Sequence, residues 1–486
     1  MNIRCRRFLK LHTRNSVAAL PGFLVLLLCL LAACTVGPNY HRPKVPVPGN
    51  FRTATTVTAA ESESLADLKW FEVFRDSELQ NLIRTALAQN YDLLGAAARV
   101  EAERASLNIS RSNLYPSLAV GANVAVNRPS RNGALPLSPA FVPNQNRTFG
   151  EAALDLLSYE VDIWGRLRRA NEAALADLLA AEEARKAVIT TLVSDVATAY
   201  FNLRELDYEL DISKRTLASR RESLNLIKIR LAGGIATRLD LRQAEQLVAS
   251  AAEVIPDLEQ QISQTENLIK LLLAENPGPI ARGQDLTEQP MAPQVPPGLP
   301  SALLNRRPDI RAAEQNLVAA NAEIGVAKAA FFPRISLTGI VGGQSTQLST
   351  LFSKPNILWN FTPQIAQPLF TAGSLKSQVK LAEALRSNAL LQYRKTVQTA
   401  FAEVSNTLIA HEKLQERRTQ QELLVAALKD RTRLAYIRYR GGVDTLLDAL
   451  GADQDLFRAE RALAQIRLEE LLSMVQLYKA LGGGWQ

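Results

Sequence analysis

The sequence predicts a mainly α protein that also carries membrane β-strands, and three observations lead there. The stretch between Gly165 and Gly233 and the stretch between Gly373 and Gly441 contain neither Gly nor Pro; each is 67 residues long, and they are offset by 208 positions. As helices each would run roughly 100 Å, far beyond the usual globular length. Four short segments with period-two alternation, two in each half, precede these long runs. The chain also begins with an export signal, and past it no run of 18 apolar residues exists from which to build a transmembrane helix. An outer-membrane protein of this kind must use β-strands or only an attached lipid.

The long runs belong to a larger duplication. Ile229, Arg230, Gly233, Gly234, Thr237, Leu239 and Asp240 recur as Ile437, Arg438, Gly441, Gly442, Thr445, Leu447 and Asp448, and Asp92 and Pro116 answer to Asp309 and Pro333. One elongated body is therefore expected. Its parts are a signal peptide over 1–33, an N-terminal tether over 34–75, a first repeat over 76–277, a Pro-rich linker over 278–300 and a second repeat over 301–486.

At the N-terminus, Arg4, Arg6, Arg7, Lys10 and Arg14 precede an apolar core from Val17 to Leu31. Charge followed by grease is the order of a secretory signal. Leu31-Ala32-Ala33-Cys34 resembles a bacterial lipobox, which implies cleavage before Cys34 and its acylation. Thr35 follows, rather than an Asp of the kind associated with inner-membrane retention, which points to the outer membrane. Removing residues 1–33 takes away five basic residues and no acidic one, so the formal charge falls from +8 to 8 − 5 = +3. The basic balance is largely a signal effect and gives little support for nucleic-acid binding. Cys34 is then the only cysteine, which excludes an internal disulfide.

Residues 35–75, Pro-rich and then Thr/Ala/Glu-rich, suggest an extended tether. A helical stretch is expected from about Asp76 to Asn113. In the first hairpin, 116–163, Leu118, Val120, Ala122, Val124 and Val126 share one face and small or polar residues the other, a membrane-strand pattern. A Pro/Asn/Arg-rich loop, 129–147, leads to a second strand near Phe149–Ile163. The second hairpin, 333–370, repeats this with Arg334–Gly342 and Leu358–Phe370, where Trp359 and Phe361 suit a membrane interface.

The first long helix carries a strict 3–4 seam at Ile189, Leu192, Val196, Ala199, Leu203, Leu206, Leu210, Ser213, Leu217, Arg220, Leu224, Ile227 and Leu231, as side-by-side helix packing requires. The return helix continues it at Leu247, Ala251, Val254, Leu258, Gln261, Thr265, Leu268 and Leu272, with Pro256 expected to kink or break it. At the tips, 231–239 and 439–447, Gly233-Gly234 and Gly441-Gly442 supply the left-handed backbone that ends a helix. Thr237 and Thr445 are placed to N-cap the next one.

Several segments together resemble a known family. Cys34-Thr-Val-Gly-Pro-Asn-Tyr-His-Arg-Pro43, Arg306-Arg307-Pro308-Asp309-Ile310, Phe331-Phe332-Pro333-Arg334-Ile335, Gly233-Gly234-Ile-Ala-Thr237-Arg-Leu-Asp240-Leu and Tyr478-Lys-Ala-Leu-Gly-Gly-Gly-Trp485 are similar to TolC-type outer membrane factors of the lipoprotein (NodT) branch. The resemblance implies a homotrimer with a 12-stranded β-barrel, a long periplasmic α-barrel and a mixed belt around its middle. It further implies a passive export duct working with a periplasmic adaptor (membrane fusion) protein and an inner-membrane efflux transporter. The residues alone demand only that the chain oligomerise, because four strands cannot close a barrel and lipid tolerates no open edge; two, three or four copies would all close.

On this resemblance the expected adaptor-docking tips are Gly233, Gly234, Thr237, Asp240, Gly441, Gly442, Thr445 and Asp448. The expected periplasmic gate is Leu447, Asp448 and Asp453, with Arg438 and Arg440 as basic neighbours. The chain departs from the family here. Relatives often carry Leu-Leu-Asp-Ala further along the helix, whereas Leu446-Leu447-Asp448-Ala449 comes early and Gly451 takes the later position. Ordinary helix-start chemistry explains Asp448 equally well.

Catalytic chemistry finds little to draw on. After signal removal only His41 and His411 remain, neither with a partner at metal-ligand spacing, and Gly482-Gly483-Gly484 follows no strand as a phosphate loop would. No cofactor, metal or catalytic residue is expected. A type I protein-secretion duct is the alternative to a duct for drugs or other small toxic compounds, and a structural or adaptor lipoprotein built on coiled-coil spacers is a more distant one.

Overall fold

The computed structural model describes residues 35–49, 51, 64–128, 146–289 and 300–485. The signal peptide, Cys34, the 129–145 loop and residues 290–299 of the linker lie outside them. In order, the elements are α1 (Trp70–Val73), α2 (Ser77–Gln89), α3 (Tyr91–Ser112), β1 (Leu118–Asn127), β2 (Arg147–Glu160), α4 (Arg166–Ala232) and α5 (Arg238–Leu272). There follow α6 (Leu303–Arg306), α7 (Pro308–Ala329), β3 (Arg334–Ser345), β4 (Ile357–Ala366), α8 (Ser374–Arg440) and α9 (Leu446–Ala480). Both long helices are 67 residues, bounded where the glycines fall. Among the described residues no helix is long and apolar enough to cross a membrane.

The chain divides into two compact units. Among the described residues, the first comprises those of 35–43, 102–178 and 315–390, and the second those of 44–101, 179–314 and 391–485. Each draws on both repeats, so the expected division at 278–300 does not mark separate bodies. The first unit holds the four-stranded antiparallel sheet, order β1-β2-β3-β4. The second holds the main hydrophobic core, where Val196, Tyr200 and Leu203 of α4 cluster with Val475, Leu477 and Tyr478 of α9.

Several local expectations are corrected. The stretch from Asp76 to Asn113 is two helices, because Asn90 ends α2 and its side chain accepts from the backbone N–H groups of Asp92 and Leu93 at 2.9 and 3.1 Å. Such a side chain offers the backbone an alternative to continuing the helix. The tether is not free: residues 35–43 belong to the first unit, while Phe51, Leu65 and Trp70 enter the core of the second. Nor is the linker free, since Ile280 and Leu286 are buried in that core. Pro256 does not break α5, which runs on through it; on an exposed face solvent replaces the lost hydrogen bond.

The α4 seam is real: nine of its thirteen positions are buried, among them Val196, Leu203 and Ile227. The α5 seam holds only to Leu258. Beyond it Gln261 is exposed and Leu268 half-exposed, while Ile269 and Leu273 are buried. The buried positions Leu247, Leu258 and Ile269 recur every eleven residues, as do Ala251 and Leu273 at twice that spacing. Eleven residues per three turns is 3.67 per turn, close to an undistorted helix, so a strict heptad reading drifts off the true face.

Candidate functional site: an amphipathic sheet and two hairpin tips

The sheet register builds one apolar face. Val120 pairs with Leu154, Leu154 with Val341, and Val341 with Trp359, so a single row crosses all four strands. Neighbouring rows on that face include Leu118 and Leu156, and Phe361 and Ile365 extend it along β4. Among the described residues most of it is left uncovered; Val120 is 83 % and Trp359 76 % exposed. The opposite face carries Asn123 beside Glu151, Glu151 beside Gln344, and Asn360. Gln344 donates to the Glu151 carboxylate at 3.0 Å. Water would strip such a sheet of its advantage, whereas lipid outside and water inside suit both faces. Gly342 marks a close approach between strands: a Cβ there would lie 2.3 Å from the Ala152 carbonyl oxygen. The bounds differ from expectation by a few residues, β2 ending at Glu160 after a bulge between Leu156 and Tyr159.

In the second unit both hairpin tips turn as the sequence predicts. Gly234 and Gly442 have φ of +75° and +71°, and a Cβ on either would meet nothing within 4 Å, so backbone conformation alone selects glycine there. Gly233 and Gly441 close the last helical turns, donating to Ile229 and Ile437 at 3.0 Å. Ile235 and Val443 then reach back to the Arg230 and Arg438 carbonyls, a Schellman-type ending. Thr237 caps α5 and Asp240 returns the bond to the Thr237 N–H. Thr445 caps α9 by accepting from Asp448 N–H. The two tips pack together through Ile227, Leu247, Tyr439, Leu446 and Leu450, and the Arg230 guanidinium lies 4.6 Å from the Tyr439 ring centroid.

The five gate residues do not converge within the chain. Leu447 is exposed, Asp448 is engaged with Thr445, and Arg438 pairs with Asp444, whose carboxyl it holds below the ordinary range. Arg440 accepts from Arg230 through its carbonyl. Asp453 is buried in an ion pair with Arg220 at 2.7 Å. Arg220 also donates to the Leu247 carbonyl and lies 5.1 Å from the Phe457 ring. Within the chain, then, Arg438 pairs with Asp444 and Arg220 with Asp453. The helix-start role of Asp448 is realised. Sequence reasoning gave Arg220 no role, although a charge in a largely apolar seam was the available signal.

A polar cavity of about 640 Å³ opens between α4, α5 and α9, lined among others by Glu205, Glu209, Gln261, Gln465 and Arg461. Burial, and then the Glu209 carboxylate, push Glu205 up to about 8, while Arg461 pairs with Glu209 at 2.8 Å. His411 sits on α8 with its ring nitrogens at 2.9 Å from Ser473 Oγ and 3.0 Å from Gln415 Nε2, and burial lowers its pKa.

An exposed apolar sheet with a polar reverse, joined in sequence to long helical hairpins, defines an outer-membrane channel subunit. The comparisons make the assignment specific. Residues 82–275 and 299–483 match the family model described as outer membrane efflux protein, and the chain belongs to that family. It is 38 % identical over 459 residues to the probable efflux pump outer membrane protein TtgC of Pseudomonas putida, covering 94 % of each chain. It is 36 % identical over 471 residues to the outer membrane protein OprJ of Pseudomonas aeruginosa, covering 96 % of each. The open-state MtrE outer membrane channel of Neisseria gonorrhoeae has the same fold, with a TM-score of 0.84 and 35 % identity over 93 % of this chain and 99 % of that one. The protein is the outer-membrane channel component of an efflux system.

Proposed function

We propose that three copies form a lipid-anchored export duct that receives small toxic compounds from an inner-membrane transporter through a periplasmic adaptor. The observation that carries this reading is the sheet: an apolar face left largely exposed by the described residues, ending in β1 and β4, each paired on one side only among the described strands. Unpaired strand edges are excluded from lipid, so neighbouring copies must pair β4 with β1. Four strands from each of three chains make 4 × 3 = 12. Efflux of drugs or solvents rather than protein secretion is favoured by relatives named for antibiotic and toluene efflux.

Anchoring runs through Cys34, and the adaptor docks at the tips formed by Gly233–Asp240 and Gly441–Asp448. Constriction at Leu447, Asp448 and Asp453 requires residues of several copies to meet, with the Arg220–Asp453 pair opening if Asp453 is to join. Gly442→Asp, which strains a left-handed position, is expected to abolish efflux while leaving oligomers assembled. Unchanged drug tolerance of that strain would remove the tip-docking reading.

A further inference from the structure

Residues 35–39 are held in a built seat in the first unit. Val36 N–H donates to the Trp164 carbonyl at 3.0 Å. Arg169, 4 % exposed, donates to the Asn39 side-chain oxygen at 2.7 Å, to the Val36 carbonyl at 3.4 Å and to Thr35 Oγ1 at 3.5 Å. Glu172 fixes the same guanidinium from the other side at 2.7 Å. Asn321 of α7 donates to the Pro38 carbonyl at 2.9 Å.

Three glycines from three segments meet there. A Cβ on Gly165 would lie 2.7 Å from Thr35 Cγ2, and one on Gly37 2.5 Å from the Gly325 Cα. One on Gly325 would lie 2.8 Å from both Arg169 Cγ and the Val36 carbonyl oxygen. Gly325 stands inside α7, where glycine is unfavourable for the helix; close approach of the strap accounts for it. Gly37 and Gly165 have φ of +102° and +76°, which other residues rarely adopt.

The seat is also tied to the base of the sheet. Trp164, which receives Val36, stacks on Phe332 at 4.7 Å and donates its indole N–H to the Pro333 carbonyl at 2.9 Å, one residue before β3. Cys34 is joined to Thr35 by a single peptide bond.

We propose that this seat, formed by Gly165, Arg169, Asn321 and Gly325, is an intramolecular receptor for the strap behind the acylated N-terminus. It holds the lipid attachment point at the foot of the β-sheet, so that acyl chains and strands enter the same leaflet as one body. The inference rests on acylation of Cys34. A loose tether would make the lipid a mere membrane address; a seated one makes it part of the inserting surface.

The test compares the rates at which membrane oligomers form in cells labelled with palmitate. One variant inserts Thr and a flexible Gly/Ser linker between Cys34 and Thr35, preserving the residue after the cysteine and leaving the seat intact. A second is Gly325→Val, and a control carries the same linker after Gly49. All are expected to take label. The Cys34 linker and Gly325→Val should slow assembly by about tenfold, as lost effective concentration requires, and the control should match wild type. Label in the Cys34-linker variant with a wild-type assembly rate would overturn the seat. Absence of label from the wild type would instead overturn the acylation reading, and the inference with it.

Discussion

The two helical hairpins agree in everything local and differ in what they bury. α4 and α8 are both 67 residues, yet α4 has 26 buried positions and α8 seven. The return helices reverse the order: of 35 residues each, α5 buries five and α9 nineteen. Lengths and turns repeat because they depend on Gly, Thr and Asp at fixed offsets. Burial does not, because it depends on which neighbours a helix finds. In the second unit α4 and α9 find each other, through Arg220–Asp453 and Glu209–Arg461 among others. α5 and α8 keep apolar side chains exposed, including Leu271, Leu385, Leu423 and Leu434. On the trimer reading those leucines are covered by neighbouring copies, so one hairpin member holds the chain together and the other joins it to its partners.

The sharpest break between the two roles compares a carboxylate placed on each. Val196→Asp, on a fully buried α4 position, should cost about 4 kcal/mol or more and leave little folded chain by circular dichroism. Leu423→Asp with Leu434→Asp on α8 should keep monomer helicity and lower the oligomer yield. Equal loss of helicity in both would erase the distinction.

Next in size is the charge inside the seam. Arg220→Met leaves Asp453 buried without its partner and should destabilise by about 3–5 kcal/mol, read from denaturant unfolding. Adding Asp453→Leu should recover most of it. If the single variant unfolds as wild type does, the pair does not join α4 to α9.

A smaller effect follows from Glu205. Between the ordinary carboxylate pKa and about 8 the folded chain keeps a proton that the unfolded chain has lost. Stability therefore falls as pH rises across that interval. Glu205→Gln should flatten the fall, gaining on wild type at pH 8 and little at pH 5 in thermal melts. Parallel pH profiles would place Glu205 in water, outside the influence of Glu209.

Much of this was legible in the sequence wherever the cause was local. The glycine-free runs set α4 and α8, Thr237 and Thr445 set the caps, and alternation at Leu118–Val126 set β1 and its exposed face. Where the cause lay elsewhere in the chain the reading failed. Asn90 splits a helix through its own side chain, but its Nδ2 also reaches the Leu272 carbonyl at 3.0 Å, which no local pattern announces. The heptad seam on α5 drifted because an eleven-residue repeat resembles it over two turns. Residues 35–43 read as a tether because Pro-rich composition says nothing of a seat built by Arg169 and Gly325. The pairing of Asp453 with Arg220, 233 residues away, was equally out of reach of a local motif.

The central claim, that the exposed sheet edges and the bare faces of α5 and α8 are completed by identical copies, is tested most directly by native mass spectrometry of the detergent-extracted protein. The account predicts a species of three chains, carrying the lipid mass on each, that separates into single chains only on heating. A stable, fully folded single chain under the same conditions, or an assembly of two or four, would contradict it.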